Sequence, residues 1–338
     1  LEHMRRAMAL AAEVRTTTAP NPWVGAVVVP AGTDAAAAAA GAAPSFEGAT
    51  APPGGPHAEV MALAAAGDAA RGATLYATLE PCAHHGRTPP CTDAIIEAGV
   101  ARVVIGIEDP DPLVAGRGIA ALEAAGVDVS VGVAADEVAE QLAPYLKHRS
   151  TGSPWVVLKM AASLDGRTAA PDGTSRWITG EAARRDAHQL RARSDAVLVG
   201  AGTVRADDPE LTVRLGGDRD GPGDGPQPLR VVLGHAPADA KVRPALELGG
   251  DLPEVLAELG RRGVLQLLVE GGATVAHEFH AAGLVDRYVV YLAPVFFGGD
   301  DARPLFAGPG AGTIADVWRG KLVSVERLGD DLRVEVAA

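Results

Sequence analysis

The chain has 338 residues, which at a typical ~150 residues per domain argues for two domains. Its 30 Lys and Arg against 43 Asp and Glu leave a net charge of −13, so a long nucleic-acid partner would meet repulsion from the protein as a whole. Aromatics are only 4% of the residues, two cysteines are too few for a disulfide scaffold, and no run approaches the ~20 apolar residues of a membrane-spanning helix.

A cytoplasmic protein with no membrane and no nucleic-acid partner is therefore expected. Basic clusters around Arg184, Arg185, Arg191 and Arg193 still suit a small phosphorylated molecule. Residues 1–12 carry Glu2, Arg5 and Arg6 with apolar residues at helical spacing, which predicts a first helix rather than a signal peptide. Short β-rich runs at 23–29, 73–79, 103–107 and 127–131 then alternate with helical patterns at 59–66, 92–98, 116–125 and 135–146. That alternation predicts an α/β sandwich on a largely parallel sheet. The polar stretch 147–154 ends in Gly and Pro and has linker chemistry, so the domains are expected at 1–147 and 148–338. A second series follows at 155–160, 196–200, 229–233, 264–269, 284–292, 323–328 and 332–336, the last two joined as a hairpin at Gly329-Asp330-Asp331. The second domain thus also reads as α/β, with an antiparallel closing element. Residues 35–40 read as a low-complexity exposed loop and 216–228 as a mobile Gly, Asp and Pro insertion.

Pro56-His57-Ala58-Glu59 opens one predicted helix, Pro81-Cys82 follows the strand at 73–79, and Cys91 heads another helix. His57, Cys82 and Cys91 offer one nitrogen and two sulfurs, a set that suits zinc and leaves a fourth tetrahedral position for water. Zinc lowers the pKa of such a water to about 7. Glu59, two residues past His57, is placed to take the proton and pass it to a leaving amine. In zinc deaminases the Glu likewise stays off the metal. One His and two Cys are more often unrelated, and a lone Cys is usually a small buried hydrophobe; the ordered set is what favours a catalytic zinc. The eight residues between Cys82 and Cys91 replace the two that are usual, so the loop must double back over the metal. It either turns His84, His85 and Arg87 toward a substrate or leaves the histidines in solvent.

Gly200-Ala201-Gly202-Thr203 and Glu270-Gly271-Gly272-Ala273-Thr274 each end an apolar run in glycines before a helix, which exposes N–H groups to an anion. Each is weak alone, since such glycines are often only turns. Two in one domain favour a dinucleotide across the sheet edge, although neither matches Gly-x-Gly-x-x-Gly. Lys159 and Asp165 stand at a strand end, where α/β folds bind ligands. Of Asp207 and Asp208, before Pro209, one is expected only to make the turn.

Taken together these residues resemble the bifunctional riboflavin-biosynthesis deaminase/reductase family over nearly the whole chain. The motifs are, in order, Asn21-Pro22-x-Val24-Gly25, Pro56-His57-Ala58-Glu59, Thr78-Leu79-Glu80-Pro81-Cys82-Ala83-His84-His85-Gly86-Arg87-Thr88-Pro89-Pro90-Cys91, Val114-Ala115-Gly116-Arg117-Gly118, Ser163-Leu164-Asp165-Gly166-Arg167, Trp177-Ile178-Thr179, Thr203-Val204 with Asp207-Asp208-Pro209, and Glu270-Gly271-Gly272. The resemblance implies an N-terminal cytidine-deaminase-like three-layer α/β domain. That domain would hydrolyse the amino group of 2,5-diamino-6-ribosylamino-4(3H)-pyrimidinone 5′-phosphate. It implies a C-terminal dihydrofolate-reductase-like α/β domain using NADPH to reduce the ribosyl group of 5-amino-6-(5-phosphoribosylamino)uracil to ribityl.

Carried over by position, His57, Cys82 and Cys91 would bind zinc, Glu59 would move the proton, and Asn21 and His84 would hold the pyrimidine. Ala161, Trp177, Thr203, Asp207 and the turn Gly271, Gly272, Ala273 and Thr274 would line the NADPH site. Ser175, Arg191, Leu211, Arg214 and Glu270 would contact the phosphorylated pyrimidine substrate, the arginines being suited to its phosphate. Lys159 and Asp165 would organise the hydride-transfer centre, and a homo-oligomer is expected. Two departures stand out: Thr50 occupies the place of a His seven residues before His57, and 234–251 is short and irregular where the family has a strand and a serine contact to NADPH. The residues alone leave two rivals: a nucleotide deaminase fused to a pterin-type reductase, and a non-catalytic module in which Glu59 has no chemical role.

Overall fold

The computed structural model describes residues 1–33, 44–86, 88–215 and 226–338, so the low-complexity run 35–40, Arg87 and most of the insertion at 216–228 lie outside the described residues. The chain divides into two units, Leu1–Gly152 and Ser153–Ala338. Among the described residues no helix is long and apolar enough to cross a membrane.

The first unit runs α1 (Glu2–Val14), β1 (Gly25–Val29), β2 (Phe46–Ala49), α2 (Ala58–Ala66), β3 (Thr74–Leu79), α3 (Cys91–Glu97), β4 (Arg102–Ile107), α4 (Arg117–Ala124), β5 (Asp128–Val131) and α5 (Ala135–Thr151). The sheet order is β2-β1-β3-β4-β5. Only β3, β4 and β5 are parallel to one another, whereas β1 pairs antiparallel with both β2 and β3, which corrects the expectation of a largely parallel sheet. Strand β2 escaped the sequence reading because Phe-Glu-Gly-Ala carries little β-branched signal.

Alternation along β1 sorts the helices into two layers. Val27 packs with Ala7 and Leu10 of α1, and a Cβ on Gly25 would come 1.8 Å from the Ala7 carbonyl oxygen. On the opposite face Ala26 pairs with Gly48, whose Cβ would sit 2.2 Å from Ala58 O of α2. Helix α5 joins the α1 side, since Gly106 faces Val138 and Gln141 Nε2 donates to the Met8 carbonyl at 2.7 Å. The sheet is therefore sandwiched, with α1 and α5 on one face and α2 on the other. Helix α5 also runs through Thr151, into the stretch anticipated as a linker. Lys147, His148 and Arg149 are polar because they suit a helix C-terminus, and Gly152, at φ 73°, ends the helix with its N–H on the His148 carbonyl.

The second unit runs β6 (Trp155–Ser163), β7 (Arg167–Ala169), α6 (Glu181–Ala192), β8 (Ala196–Gly200), α7 (Ala201–Asp207), β9 (Leu229–Leu233), β10 (Leu246–Leu248), α8 (Leu252–Arg261), β11 (Gln266–Val269), α9 (Ala273–Ala281), β12 (Arg287–Ala293), β13 (Arg303–Pro304), β14 (Lys321–Leu328) and β15 (Asp331–Ala337). Eight strands form one sheet in the order β10-β9-β8-β11-β6-β12-β15-β14. It is parallel from β10 to β12 and closes through the antiparallel β15 and β14. Val156 and Leu158 of β6 meet Leu256 and Leu259 of α8 and Phe279 of α9, while Val157 meets Ala183 of α6 on the other face. Burial on both faces explains why β8 and, after Gln266, the rest of β11 are apolar throughout. The region 234–251, read as irregular, holds β10, a three-residue strand too short to leave a pattern.

Candidate active sites

Segments of the first unit meet where the start of β1 and the end of β3 lie together, in the interior of the strand order. Because β1 runs against β3, the start of β1 lies beside the end of β3, and Gly25 N–H donates to Thr78 Oγ1 at 3.2 Å. Thr50, just past β2, is buried and bonded to Val24: its N–H reaches the Val24 carbonyl at 3.0 Å, and its hydroxyl accepts the Val24 N–H at 3.1 Å. The hydroxyl at this position therefore serves the backbone of the Asn21–Gly25 segment. Ala51 N–H on the Pro56 carbonyl then closes the loop that delivers His57 as N-cap of α2.

His57 Nδ1 lies 3.2 Å from Cys91 Sγ and 3.6 Å from Cys82 Sγ, and the three donor atoms all fall within 4.8 Å of one another. Its Nε2 faces Thr88 Oγ1 at 3.5 Å, which leaves Nδ1 to the sulfurs. Cys82 follows β3 and Cys91 begins α3, whose first N–H points at Cys82 Sγ at 3.5 Å. The paired sulfurs split their acidities: hydrogen bonds from Cys91 and His57 hold the Cys82 thiol well below its usual range, while Cys82 and burial push Cys91 up. Two sulfurs sharing protons beside an imidazole are a donor set that fits zinc. Glu59, in the first turn of α2, is buried, and its carboxyl interacts electrostatically with His57 and both cysteines. Burial and the Cys82 charge raise its carboxyl to about 7.

Asn21 and His84 are half-buried and His85 is exposed. Among the described residues, the His84 Nδ1 is buried with no hydrogen-bond partner.

In the second unit the two glycine turns read separately in the sequence meet. Gly272 N–H donates to Thr203 Oγ1 at 3.2 Å, and Val275 packs on both, since a Cβ on Gly200 or Gly271 would come 2.8 or 2.5 Å from it. A cavity of about 120 Å³ opens at the N-terminus of α9, lined by Lys159, Met160, Ala161, Thr168, Leu305 and the turn from Glu270 to Ala273. The N-terminus of a helix, with Gly272 N–H turned to Thr203, beside the apolar side chains of Met160, Ala161 and Leu305 fits the phosphates and nicotinamide end of NADPH. Met160, Thr168 and Leu305 were not anticipated; Thr168 directly follows the Ser163–Arg167 motif, whereas nothing local marks Leu305.

Beside the cavity Glu270 takes a two-pronged bond from Arg191, Nε–Oε1 2.5 Å and Nη2–Oε2 3.0 Å, and Lys159 Nζ stands 3.7 Å from Oε2. Burial alone would raise the Glu270 carboxyl, but Arg191 and Lys159 outweigh it and hold it down at about 2. Arg191 also donates to the Thr212 carbonyl at 3.1 Å, so the expected phosphate contact is already engaged within the protein. His188, one turn before Arg191, accepts the Arg214 N–H on Nδ1, and burial with the two guanidiniums lowers it to about 4. Arg214 is partly exposed and pairs with Glu210 at 2.7 Å.

The remaining expected residues lie off the cavity wall. Leu211 is only 3% exposed, its side chain in the core and its backbone in the left-handed region at φ 54°. Trp177 is 68% exposed under the Arg184 guanidinium, 4.7 Å from its ring centroid. The Asp207 carbonyl accepts from Arg176 at 2.8 Å, while Asp208, at φ 41°, makes the turn. Asp165 accepts the Ser163 hydroxyl and the N–H groups of Phe297 and Gly298, which makes it a loop fastener. Ser175 is half-buried and Thr274 exposed.

Comparison with known proteins assigns a family to each of the two units. Residues 1–107 match the cytidine and deoxycytidylate deaminase zinc-binding region, and residues 154–334 match the RibD C-terminal domain. A zinc-binding, cytidine-deaminase-like unit joined to a dihydrofolate-reductase-like, NADPH-dependent reductase unit defines the class as a bifunctional deaminase–reductase. The chain is 41% identical to riboflavin biosynthesis protein RibD of Escherichia coli K12, over 98% of this chain and 97% of that one. It is 44% identical to RibD of Mycobacterium tuberculosis, over 98% and 96%. The solved Acinetobacter baumannii RibD, form 1, superposes with a TM-score of 0.89 at 39% identity, over 99% of this chain and 98% of that one. The Thermotoga maritima diaminohydroxyphosphoribosylaminopyrimidine deaminase/5-amino-6-(5-phosphoribosylamino)uracil reductase gives 0.85 at 35%, over 99% and 97%. The chain belongs to the RibD family of riboflavin biosynthesis enzymes.

Proposed function

We propose that the first unit hydrolyses the amino group of 2,5-diamino-6-ribosylamino-4(3H)-pyrimidinone 5′-phosphate. The second then reduces the ribosyl group of 5-amino-6-(5-phosphoribosylamino)uracil to ribityl. The observation that carries this reading is the gathering of His57, Cys82 and Cys91 donors within 4.8 Å beside the buried Glu59. Zinc held by those three would supply an acidified water. Glu59 receives the proton on its carboxylate and returns it to the departing nitrogen as ammonia forms. Asn21 and His84 hold the pyrimidine, His84 with the Nδ1 that has no hydrogen-bond partner among the described residues.

In the second unit NADPH would supply hydride to the sugar carbon. The chain's part is to hold the dinucleotide at the turn from Gly271 to Thr274 with Ala161, Trp177, Thr203 and Asp207. Lys159 Nζ, fixed by Glu270, donates to the sugar oxygen; Ser175, Arg191, the Leu211 backbone and Arg214 orient the substrate, with Arg214 on its phosphate. The domains divide the two chemistries, and the protein works as a homo-oligomer in the cytoplasm.

Glu59→Gln tests the assignment. Ammonia release from the diaminopyrimidine phosphate should fall by at least about 100-fold, while NADPH oxidation with the already deaminated compound stays at the parental rate. Loss of both activities together would contradict separate sites, and retention of deamination would remove Glu59 from the chemistry.

A further inference from the structure

We propose that Glu80 is a positioning residue for the metal centre: its buried carboxylate fastens the Pro81-Cys82 backbone to the N-terminus of α4 and so sets where Cys82 presents its sulfur. The inference rests on reading His57, Cys82 and Cys91 as metal ligands.

Glu80 is 3% exposed, and its hydrogen-bond partners among the described residues are four main-chain N–H groups. Oε2 accepts from Asp109 at 3.2 Å and Gly116 at 3.0 Å; Oε1 accepts from Gly118 at 2.9 Å and Ile119 at 3.2 Å. A carboxylate has about four acceptor positions, so this one is filled. Gly118 and Ile119 lie in the first turn of α4, where N–H groups lack helical partners and the dipole favours negative charge. The local N-cap, Gly116, has no side chain to satisfy them. The cap comes instead from the end of β3, 36 to 39 residues earlier.

The main chain locks with it. A Cβ on Gly118 would stand 1.9 Å from the Pro81 carbonyl oxygen, a contact that leaves room only for glycine. Glu80 N–H reaches the Ile107 carbonyl at 3.0 Å, and the Cys82 carbonyl accepts the Thr92 N–H at 3.2 Å. Cys82 is thereby held between the starts of two helices, α4 through Glu80 and α3 through its own carbonyl and sulfur. Behind Glu80, Asp109 takes the Tyr145 hydroxyl at 3.0 Å, tying the same segment to α5. Gly116 sits in the left-handed region at φ 74°, away from the extended conformation in which an N-cap side chain reaches its own helix. What Glu80 adds is a rigid link from that helix to a ligand two residues away.

The test is E80Q in the full chain, with Co2+ as probe. The amide keeps the side chain's shape but turns an NH2 group toward two N–H donors. Co2+ affinity, measured by competition with a chelator, should fall 10- to 100-fold, the usual loss when a group supporting a ligand is changed. The thiolate-to-cobalt and d–d bands of the folded, loaded variant should shift, deaminase kcat should fall more than KM rises, and reductase turnover of the deaminated compound should stay parental. If circular dichroism shows E80Q unfolded, E80D, which keeps the charge at shorter reach, gives the same affinity and spectrum. A folded variant with parental cobalt affinity and parental bands overturns the proposal, even if it melts earlier. A parent chain whose cobalt spectrum lacks thiolate bands would instead sink the metal-centre reading itself.

Discussion

Glu270 stays ionised although it is buried, because Arg191 meets both of its oxygens and Lys159 stands beside it. The depression from 4.5 to about 2 makes folding stability depend on acid. A carboxylate whose folded pKa lies below its unfolded value adds stability above the unfolded value and loses it as pH falls through the folded one. Here the loss spans pH 4.5 to about 2 and is on the order of 3 kcal/mol for this buried group. Glu270→Gln would leave the Arg191 guanidinium buried and half-partnered, at a cost of about 3–5 kcal/mol near neutral pH. Urea unfolding of the second unit should therefore start from lower stability in the variant and decline less steeply below pH 4.5 than in the parent. Parallel pH profiles would show that the pair carries no linkage. Sequence marked Glu270 and Arg191 as substrate contacts, but not that they bind each other across 79 residues.

The pairing of elements depends on a few residues without side chains. Gly25 lets α1 lie directly on β1, since a Cβ there would meet the Ala7 carbonyl oxygen at 1.8 Å and Ala11 N at 3.1 Å, both backbone atoms that cannot rotate away. Gly25→Ala should destabilise the first unit by at least about 1–3 kcal/mol, the usual effect of overfilling a packed core. Heat inactivation should then strike ammonia release several degrees below the parent while NADPH oxidation on the deaminated compound is lost at an unchanged temperature. Equal sensitivity of both activities would mean that the α1 contact is not what Gly25 protects. The same close approaches mark where sequence was legible. Strands rich in Val and Leu such as β8 and β11 and the spacing of His57, Cys82 and Cys91 stood out because pattern and chemistry coincide there. The direction of β1, the existence of β2 and β10, and the length of α5 did not, because pairing partners and caps decide them.

At the scale of the whole molecule the unsettled surface is the closing hairpin. Residues paired across strands share a face, and the register sets Tyr288, Val336 and Leu322 in one row and Val290, Val334 and Val325 in the next. The opposite face is covered by α6 through Tyr291, Asp186 and Arg333. The row-bearing face continues the core that α8 and α9 cover, yet on β14 it ends with Leu322 59% and Val325 53% exposed, near Trp318 at 41%. A monomer rarely leaves an apolar patch of more than a few hundred Å² in water. In a homo-oligomer the natural occupant is the same face of a second copy, because two-fold symmetry sets one patch against itself. Val325→Asp places like charges opposite each other across such an axis at a site that packs little within its own chain. Light scattering at micromolar concentration should give at least a dimer for the parent and a monomer for the variant, with far-ultraviolet circular dichroism unchanged. A variant with the parental mass, or a parent already monomeric, would show that this face is not where copies meet.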